Sequence, residues 1–144
     1  MIKTLGAKIY AAIAHRKNQK WITRPIDAQK KVFNLLIKRG LKTRFGKEHD
    51  FEKIKSIKEF QSAIPIRDYE GLKKYIDAIL NGESDVLWPG RPLYYAKSSG
   101  TTSGAKYIPI TKASMPQHIR AAKEAILNYI FKTGKAASVN GKHI

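Results

Sequence analysis

The chain contains no cysteine, and this absence limits the chemistry that it can carry. With no cysteine among 144 residues it forms no disulfide and offers no thiolate to a metal. Its four histidines are scattered along the sequence, so we expect no metal site built by side chains. No apolar run reaches the roughly 18 residues of a transmembrane helix, so we expect no membrane partner.

Acidic residues are also scarce, with 11 against 28 basic residues and a net charge of +17. Residues 1–26 carry six basic groups and no acidic group, and residues 86–144 carry nine basic groups and one acidic group. A nucleic-acid-binding protein usually concentrates its charge in a basic stripe, whereas this excess is spread along the chain. We therefore expect no nucleic-acid partner. A small basic module that binds nucleic acid or an acidic surface is the alternative to the function developed below.

The N-terminal segment MIKTLGAKIYAAIAHRKNQKW is basic but is not a secretory signal. Lys8 interrupts its apolar stretch, and no small-residue cleavage site follows. Without a signal or a membrane span, we expect a cytoplasmic protein. The spacing of the segment predicts an amphipathic first helix. Its apolar face would contain Leu5, Ile9, Ala12 and Ile13.

Helical patterns dominate the first 90 residues. One helix is predicted to begin after Pro25 and to end at Gly40. A second, short helix begins at a capping box formed by Ser56 and Glu59. It ends before Pro65, because the residue before a proline is pushed out of helical geometry. The apolar residues of the first of these helices are spaced by three and four: Val32, Leu35 and Leu36.

Two further helices have ends that are marked in the sequence. Asp68 is predicted to cap the first of them, and Gly82 lies beyond its end. Thr111 is predicted to cap a long helix over residues 112–132. The apolar stripe of the first helix contains Leu72, Tyr75, Ile76 and Ile79. That of the long helix contains Ile119, Ala122, Ile126 and Ile130.

Two short strands, LYYAK and KYIPI, are predicted on either side of a polar loop, and Pro109 places the second at a sheet edge. Asn140-Gly141 predicts a tight turn, after which residues 143–144 resemble the start of another strand without a partner. We therefore interpret residues 1–144 as part of a larger N-terminal domain of the α/β class, with α+β character in this segment. Its parts are a helical region (1–90), a strand-loop-strand motif (91–111) and a long helix (112–132).

The loop sequence SSGTTSGAK is typical of a phosphate-binding segment. Glycines at 100 and 104 permit backbone conformations in which successive amides point inward, and such an array binds anions. Hydroxyl groups add donors, and Lys106 adds a mobile positive charge that suits phosphate. A disordered Gly/Ser loop is the alternative, which the lysine and the flanking strands disfavour. The predicted binding residues are Ser98, Ser99, Gly100, Thr101, Thr102, Ser103, Gly104 and Lys106.

Two other known motifs resemble this loop, but the sequence does not fit either of them. The Walker A loop needs lysine directly after glycine and then a hydroxyl residue, but Ala105 separates Gly104 from Lys106, and Tyr107 follows. The S-x-x-K motif of penicillin-recognising enzymes must begin a helix, whereas the strand-like YIPI follows Lys106 here. The K-T-G element also precedes the S-x-N element, which reverses the expected order.

Four blocks of the sequence resemble one family more specifically than the loop alone. FGKEHDF, SIKEFQSAIPIRDYEGLKKYI, GESDVLWPG and AKSSGTTSGAKYIPIT are similar, in order and spacing, to the auxin-responsive promoter (Gretchen Hagen) family of acyl-acid amido synthetases, especially its bacterial members. The resemblance covers about residues 20–143. The family is related to the adenylate-forming superfamily of firefly luciferase and acyl-CoA synthetases.

The resemblance implies a ligase. Family members use ATP and Mg²⁺ to convert a carboxylic acid into an acyl-adenylate, and the amine of an amino acid then displaces AMP to give an amide. Residues 98–104 and Lys106 match the family's first nucleotide-binding motif, although this lysine lies one residue from its place in many plant members. No catalytic residue is matched.

The family's later motifs lie beyond residue 144. We therefore expect that the chain alone does not form amides, and exchange of labelled pyrophosphate into ATP tests this. An inactive remnant of the family is a further alternative.

Overall fold

The computed structural model describes residues 2–99 and 104–137. The described chain is mostly helical with one two-stranded antiparallel sheet, which confirms the predicted α+β character. The turn expected at residues 140–141 and the strand expected at 143–144 lie outside the described residues. The chain divides into two compact units, one formed by residues up to 28 together with those from 116 onward, and one by residues 29–115.

Within the described residues the elements follow in this order: α1 (Ile2–Ile22), α2 (Pro25–Gly40), α3 (Arg44–Glu48), a 3-10 turn (Phe51–Lys53), α4 (Ile57–Ala63), α5 (Tyr69–Leu80), β1 (Tyr94–Ser98), β2 (Lys106–Ile110) and α6 (Met115–Thr133). None of the described helices combines the length and the apolar character that crossing a membrane requires.

The first unit has a small core between α1 and α6. Its buried residues are Ala11 from α1, Leu127 and Ile130 from α6, and Ala136 beyond it. The α1 side of this core is built from alanines, since Ala7 and Ala14 pack around Ala11. Residues spaced by three and four share one face of a helix, so these alanines form a continuous stripe against which larger side chains lie.

The predicted apolar faces of α1 and α6 were largely wrong. In α1, Leu5, Ile9 and Ile13 are 62%, 55% and 59% exposed, and Ala12 is exposed too. In α6, Ile130 is buried as expected, whereas the other three residues of the predicted stripe are exposed: Ile119, Ala122 and Ile126. Since α1 is apolar on two opposite faces, periodicity alone could not decide which of them packs within this unit.

The second unit contains two clusters of buried side chains that Phe45 connects. One contains Ile37, Phe51 and Ile54, and the other contains Tyr75, Ala78, Ile79 and Val86. Phe45 packs against both, with its ring edge-on to Phe51 at 5.9 Å and to Tyr75 at 5.2 Å. Edge-to-face aromatic pairs contribute about 0.5–1.5 kcal/mol beyond burial of their area.

Helix α2 occupies the predicted residues but does not bury the predicted ones. Ile37 is its buried apolar side chain, and the half-buried Phe33 lies one turn before it. Val32, Leu35 and Leu36 are each about half exposed, at 54%, 52% and 47%. The face of α2 that packs is therefore turned by about one residue from the predicted stripe.

The caps of α4 and α5 follow the prediction closely. The hydroxyl of Ser56 accepts a hydrogen bond from the backbone amide of Glu59, whose carboxylate accepts one from the amide of Ser56. Helix α4 ends at Ala63, and the carboxylate of Asp68 accepts from the amide of Gly71 at the start of α5. The predicted stripe of α5 is buried or half-buried in full: Leu72, Tyr75, Ile76 and Ile79.

A turn at residues 85–90 joins α5 to the hairpin. The carboxylate of Asp85 accepts from the amide of Gly90 at 2.8 Å, and this bond, with one from the Ser84 hydroxyl, lowers the pKa of Asp85. The backbone of Asp85 also accepts from the amide of Arg44 at 2.7 Å. The chain therefore enters β1 from a segment that is fixed to α3.

Helix α6 begins three residues later than predicted. Thr111 and Ser114 exchange hydrogen bonds between their side chains and backbone amides, so residues 111–114 form a turn. The amide of Met115 donates to the carbonyl of Thr111, and the helix runs from there to Thr133.

Candidate functional site

The described ends of the predicted phosphate-binding loop lie on two paired strands, which form a β-hairpin. Strand β1 pairs with β2 in antiparallel register, with Ser98 opposite Lys106 and Tyr94 opposite Ile110. The aromatic and β-branched residues of YYAKS and KYIPI favour such extended structure. The sheet brings Ser98 and Lys106 together at the base of the loop, eight positions apart in the sequence.

The structure describes four of the eight predicted binding residues. Ser98 is half-buried at the end of β1, and Ser99 is exposed next to it. Gly104 is exposed on the returning side, and Lys106 is half-buried at the start of β2. The other four predicted residues lie outside the described residues: Gly100, Thr101, Thr102 and Ser103.

Gly104 has a backbone conformation that favours glycine. Its φ is +82°, in the region that residues with a side chain rarely adopt. A Cβ atom added there would meet nothing within 4 Å. The requirement for glycine is therefore conformational and not steric. Gly104 lies two residues before Lys106, at the returning side of the loop.

The two lysines at the loop end of the hairpin lie against tyrosine rings. The ammonium of Lys106 is 5.5 Å from the ring centroid of Tyr69, and that of Lys97 is 5.9 Å from the ring centroid of Tyr107. Among the described residues, neither Lys97 nor Lys106 forms an ion pair with a carboxylate. Lys73, by contrast, lies 2.7 Å from Asp77 on α5. The positive charge at the hairpin is therefore not neutralised by a neighbouring acid in this part of the chain.

The surroundings of the hairpin in the sequence are entirely basic. Residues 86–115 contain four basic residues and no acidic one: Arg91, Lys97, Lys106 and Lys112. Lys97 and Lys106 lie in the two strands of the hairpin itself. The hydroxyl groups of Ser98 and Ser99 add hydrogen-bond donors next to this charge. The arrangement is suited to an anion with several oxygen acceptors.

Two hydrogen bonds join helix α5 to the hairpin. The hydroxyl of Tyr95 donates to the carbonyl oxygen of Ile79 at 3.2 Å, and the amide of Tyr107 donates to the hydroxyl of Tyr69 at 2.9 Å. These two bonds tie β1 to the end of α5 and β2 to its start. The hairpin therefore cannot move independently of α5 without breaking them.

A cavity of about 110 Å³ lies between the hairpin and the end of α5. Its lining includes Ile79, Val86, Trp88 and Pro109. This volume is smaller than the roughly 300 Å³ at which pockets for drug-sized ligands begin, so we do not consider the cavity a ligand-binding site. Trp88 is half-buried in this lining, and the neighbouring Pro89 is exposed.

Tyr69 contacts Lys106 and Tyr107 at this site, and nothing in the sequence predicted these contacts. The sequence predicts a cap at Asp68, and Tyr69 is the first residue of α5. Its partner Tyr107 lies 38 positions further along the chain. No local pattern links residues so far apart.

In the described part of the chain, no group of three His, Asp or Glu side chains could hold a metal ion.

Residues 14–143 match the family model described as the GH3 family N-terminal domain. The chain is 31% identical over 83 residues to the indole-3-acetic acid-amido synthetase GH3.2 of Arabidopsis thaliana, covering 57% of this chain and 15% of that protein. It is 33% identical over 87 residues to GH3.4, a synthetase of the same name and organism, with coverage of 59% and 15%.

A third relative, the indole-3-acetic acid-amido synthetase GH3.15 of the same plant, is 39% identical over 62 residues, which cover 42% of this chain and 10% of that protein. The chain thus spans at most about 15% of the length of these three relatives. The matched family is the one that the four sequence blocks resemble, so that resemblance is confirmed.

Proposed function

This chain belongs to the GH3 family, and on that premise we propose that its hairpin binds the phosphates of ATP in an acyl-acid amido synthetase. In the proposed reaction a carboxylate oxygen attacks the α-phosphorus of ATP, and pyrophosphate leaves. The amine of an amino acid then attacks the acyl carbon, the amide bond forms, and AMP leaves. The names of the relatives place indole-3-acetic acid among the acids of this family.

The observation that carries this proposal is the position of Lys106. Lys106 pairs with Ser98 in the sheet register at the loop end of the hairpin, and its ammonium forms no ion pair with a carboxylate among the described residues. Negative charge accumulates on the pyrophosphate leaving group during adenylation, and donors that are already in place lower the barrier. Lys106 would neutralise part of this charge, and the hydroxyl and amide groups of the loop would supply the donors.

Magnesium enters the proposal through the nucleotide. Mg²⁺ usually keeps several waters and is held by substrate phosphates together with one or two carboxylates. The proposal therefore names no protein ligand for it in this chain. We also propose a cytoplasmic location. The small-molecule partners would be a carboxylic acid and an amino acid, and the proposal includes no nucleic-acid partner.

Calorimetric titration of the chain with ATP, and with pyrophosphate, each with and without Mg²⁺, tests the proposal. Loss of a charge-assisted hydrogen bond costs about 1.5–3 kcal/mol, so Lys106→Ala should weaken binding by about tenfold or more. Lys112→Ala is the matched control, because it removes the same charge from an exposed position six residues away. It should leave the affinity nearly unchanged.

The alternative functions give different results in the same experiment. A basic module that binds any polyanion should lose affinity equally in Lys106→Ala and Lys112→Ala, and it should bind a nucleic acid more tightly than pyrophosphate. An inactive remnant should bind neither ATP nor pyrophosphate. Either result contradicts the proposed function.

A further inference from the structure

Tyr69 contacts the strand that closes the loop in two different ways. Its hydroxyl oxygen accepts a hydrogen bond from the amide of Tyr107 at 2.9 Å. Its ring lies 5.5 Å from the ammonium of Lys106. The residue itself is half-buried at the first position of α5, directly after the cap formed by Asp68. A single side chain therefore fixes both the backbone of β2 and the cation beside it.

We propose that Tyr69 is a positioning residue for Lys106: its ring holds the ammonium in place both before and after an anionic ligand binds to it. This inference rests on the proposed function, since the ligand is the phosphate group of ATP. Tyr69 does not contact the ligand in this proposal. It acts through Lys106, whose position it restricts before and after binding.

An aromatic ring suits this positioning role better than a carboxylate would. A lysine side chain has four rotatable carbon–carbon bonds and loses considerable freedom when it is fixed on a ligand. A carboxylate partner would fix it in advance but would neutralise the charge and compete with phosphate. An aromatic ring attracts the cation more weakly and leaves its charge intact. The ring of Tyr69 can therefore orient Lys106 and leave its charge available to the ligand.

Attachment of the hairpin to α5 does not depend on Tyr69 alone. Tyr95 provides a second link, because its hydroxyl donates to the carbonyl oxygen of Ile79. That link is on β1, and Tyr95 lies opposite Pro109 instead of Lys106. Both tyrosines thus hold the hairpin against the helix, whereas Tyr69 also contacts the lysine.

The first experiment examines the chain without a ligand. Proton–carbon NMR of lysines labelled at the ε carbon reports whether an aromatic ring lies over the side chain, because the ring current shifts the signal. The Lys106 signal, assigned by its loss in Lys106→Met, should be shifted in the wild type, in Tyr69→Phe and in the control Tyr95→Phe. It should return to the position of a free lysine in Tyr69→Leu.

The second experiment follows the same signal during a titration with pyrophosphate. In the wild type the Lys106 signal should change as pyrophosphate binds and should remain ring-shifted at saturation. Tyr69→Leu should bind pyrophosphate about two- to fivefold more weakly, as expected for loss of a cation–π contact. Tyr69→Phe keeps the ring and should bind like the wild type, as should Tyr95→Phe. In the Lys106→Met background, Tyr69→Leu should cause no further loss.

Four results would overturn the inference. They are a Lys106 signal without a ring shift in the wild type, a ring shift that disappears when pyrophosphate binds, equal losses in Tyr69→Leu and Tyr95→Phe, and a further loss when Tyr69→Leu is added to Lys106→Met. The first and second need no variant at Tyr69, so they decide the matter even if Tyr69→Leu does not fold. Failure of the proposed function looks different, since calorimetry then shows no binding of pyrophosphate or equal losses in Lys106→Ala and Lys112→Ala.

Discussion

The phenol of Tyr75 donates a hydrogen bond to the carboxylate of Glu48 over 2.6 Å, across 27 residues of sequence. Tyr75 is fully buried on α5, whereas Glu48 is at the end of α3. The same carboxylate accepts from Arg44 at 2.9 Å and from Lys74 at 3.2 Å. Glu48 therefore connects α3 to α5 through three donors at one site.

This arrangement predicts a loss of stability in acid. The hydrogen bond from Tyr75, followed by that from Arg44, lowers the pKa of Glu48 from 4.5 to about 2. A group whose pKa is lower in the folded state stabilises that state above its unfolded pKa. The contribution of Glu48 should be complete above about pH 4.5 and should disappear as the pH falls toward 2. Urea unfolding of the wild type and of Glu48→Gln at several pH values checks this.

The expected result is a difference in the free energy of unfolding that shrinks between pH 5 and pH 3. Tyr75→Phe keeps the buried ring and removes the donor, so it should raise the pKa of Glu48 and move the loss of stability to higher pH. A difference between wild type and Glu48→Gln that is the same at every pH would contradict the assignment.

A second prediction compares two glycines. A Cβ at Gly46 would clash with the carbonyl oxygen of Gly40, which already accepts from the hydroxyl of the buried Thr43. Gly46→Ala should therefore destabilise the chain by several kcal/mol, in the range of buried positions that cannot relax. Gly6→Ala is the control, because nothing lies within 4 Å of its added Cβ in the interior of α1. It should stabilise by about 0.5–1 kcal/mol. Thermal denaturation distinguishes these opposite signs.

A third prediction concerns the start of α4. Ser56→Ala removes the acceptor for the amide of Glu59 and should cost about 1 kcal/mol of stability. Ser62→Ala makes the same change within the same helix, where the hydroxyl donates to the carbonyl of Lys58. It should be neutral or slightly stabilising, since alanine is the better helix former. Equal losses at both positions, measured by chemical denaturation, would show that the cap contributes nothing.

A fourth prediction addresses the backbone before Lys106. Gly104 has φ +82° and Gly82 has φ +90°, and neither would meet an atom within 4 Å of an added Cβ. Replacing either with alanine should cost about 1–2 kcal/mol for the left-handed conformation. Only Gly104→Ala should also weaken binding of pyrophosphate, because only that glycine borders the loop. If Gly82→Ala weakened binding as much, the effect would be one of stability alone.

The parts of the site that could be predicted are those defined by adjacent residues. The strand signals of LYYAK and KYIPI placed Ser98 and Lys106 at the base of one loop, and the register of the sheet agrees. The spacing of Ser56 and Glu59 identified a cap because both partners lie within one helical turn. The contact between Tyr69 and Lys106 could not be predicted, since it depends on how α5 packs against β2.

The sequence by itself determined where α2, α4 and α5 begin and end, because caps, turn glycines and prolines act on neighbours within a few residues. Only the tertiary structure decided which faces are buried. In α1 the small side chain of Ala11 packs against Ile130 and its neighbours, while the larger Leu5 and Ile9 are exposed. Periodicity reports how apolar each face is, whereas burial depends on the shape of a partner that lies more than a hundred residues away.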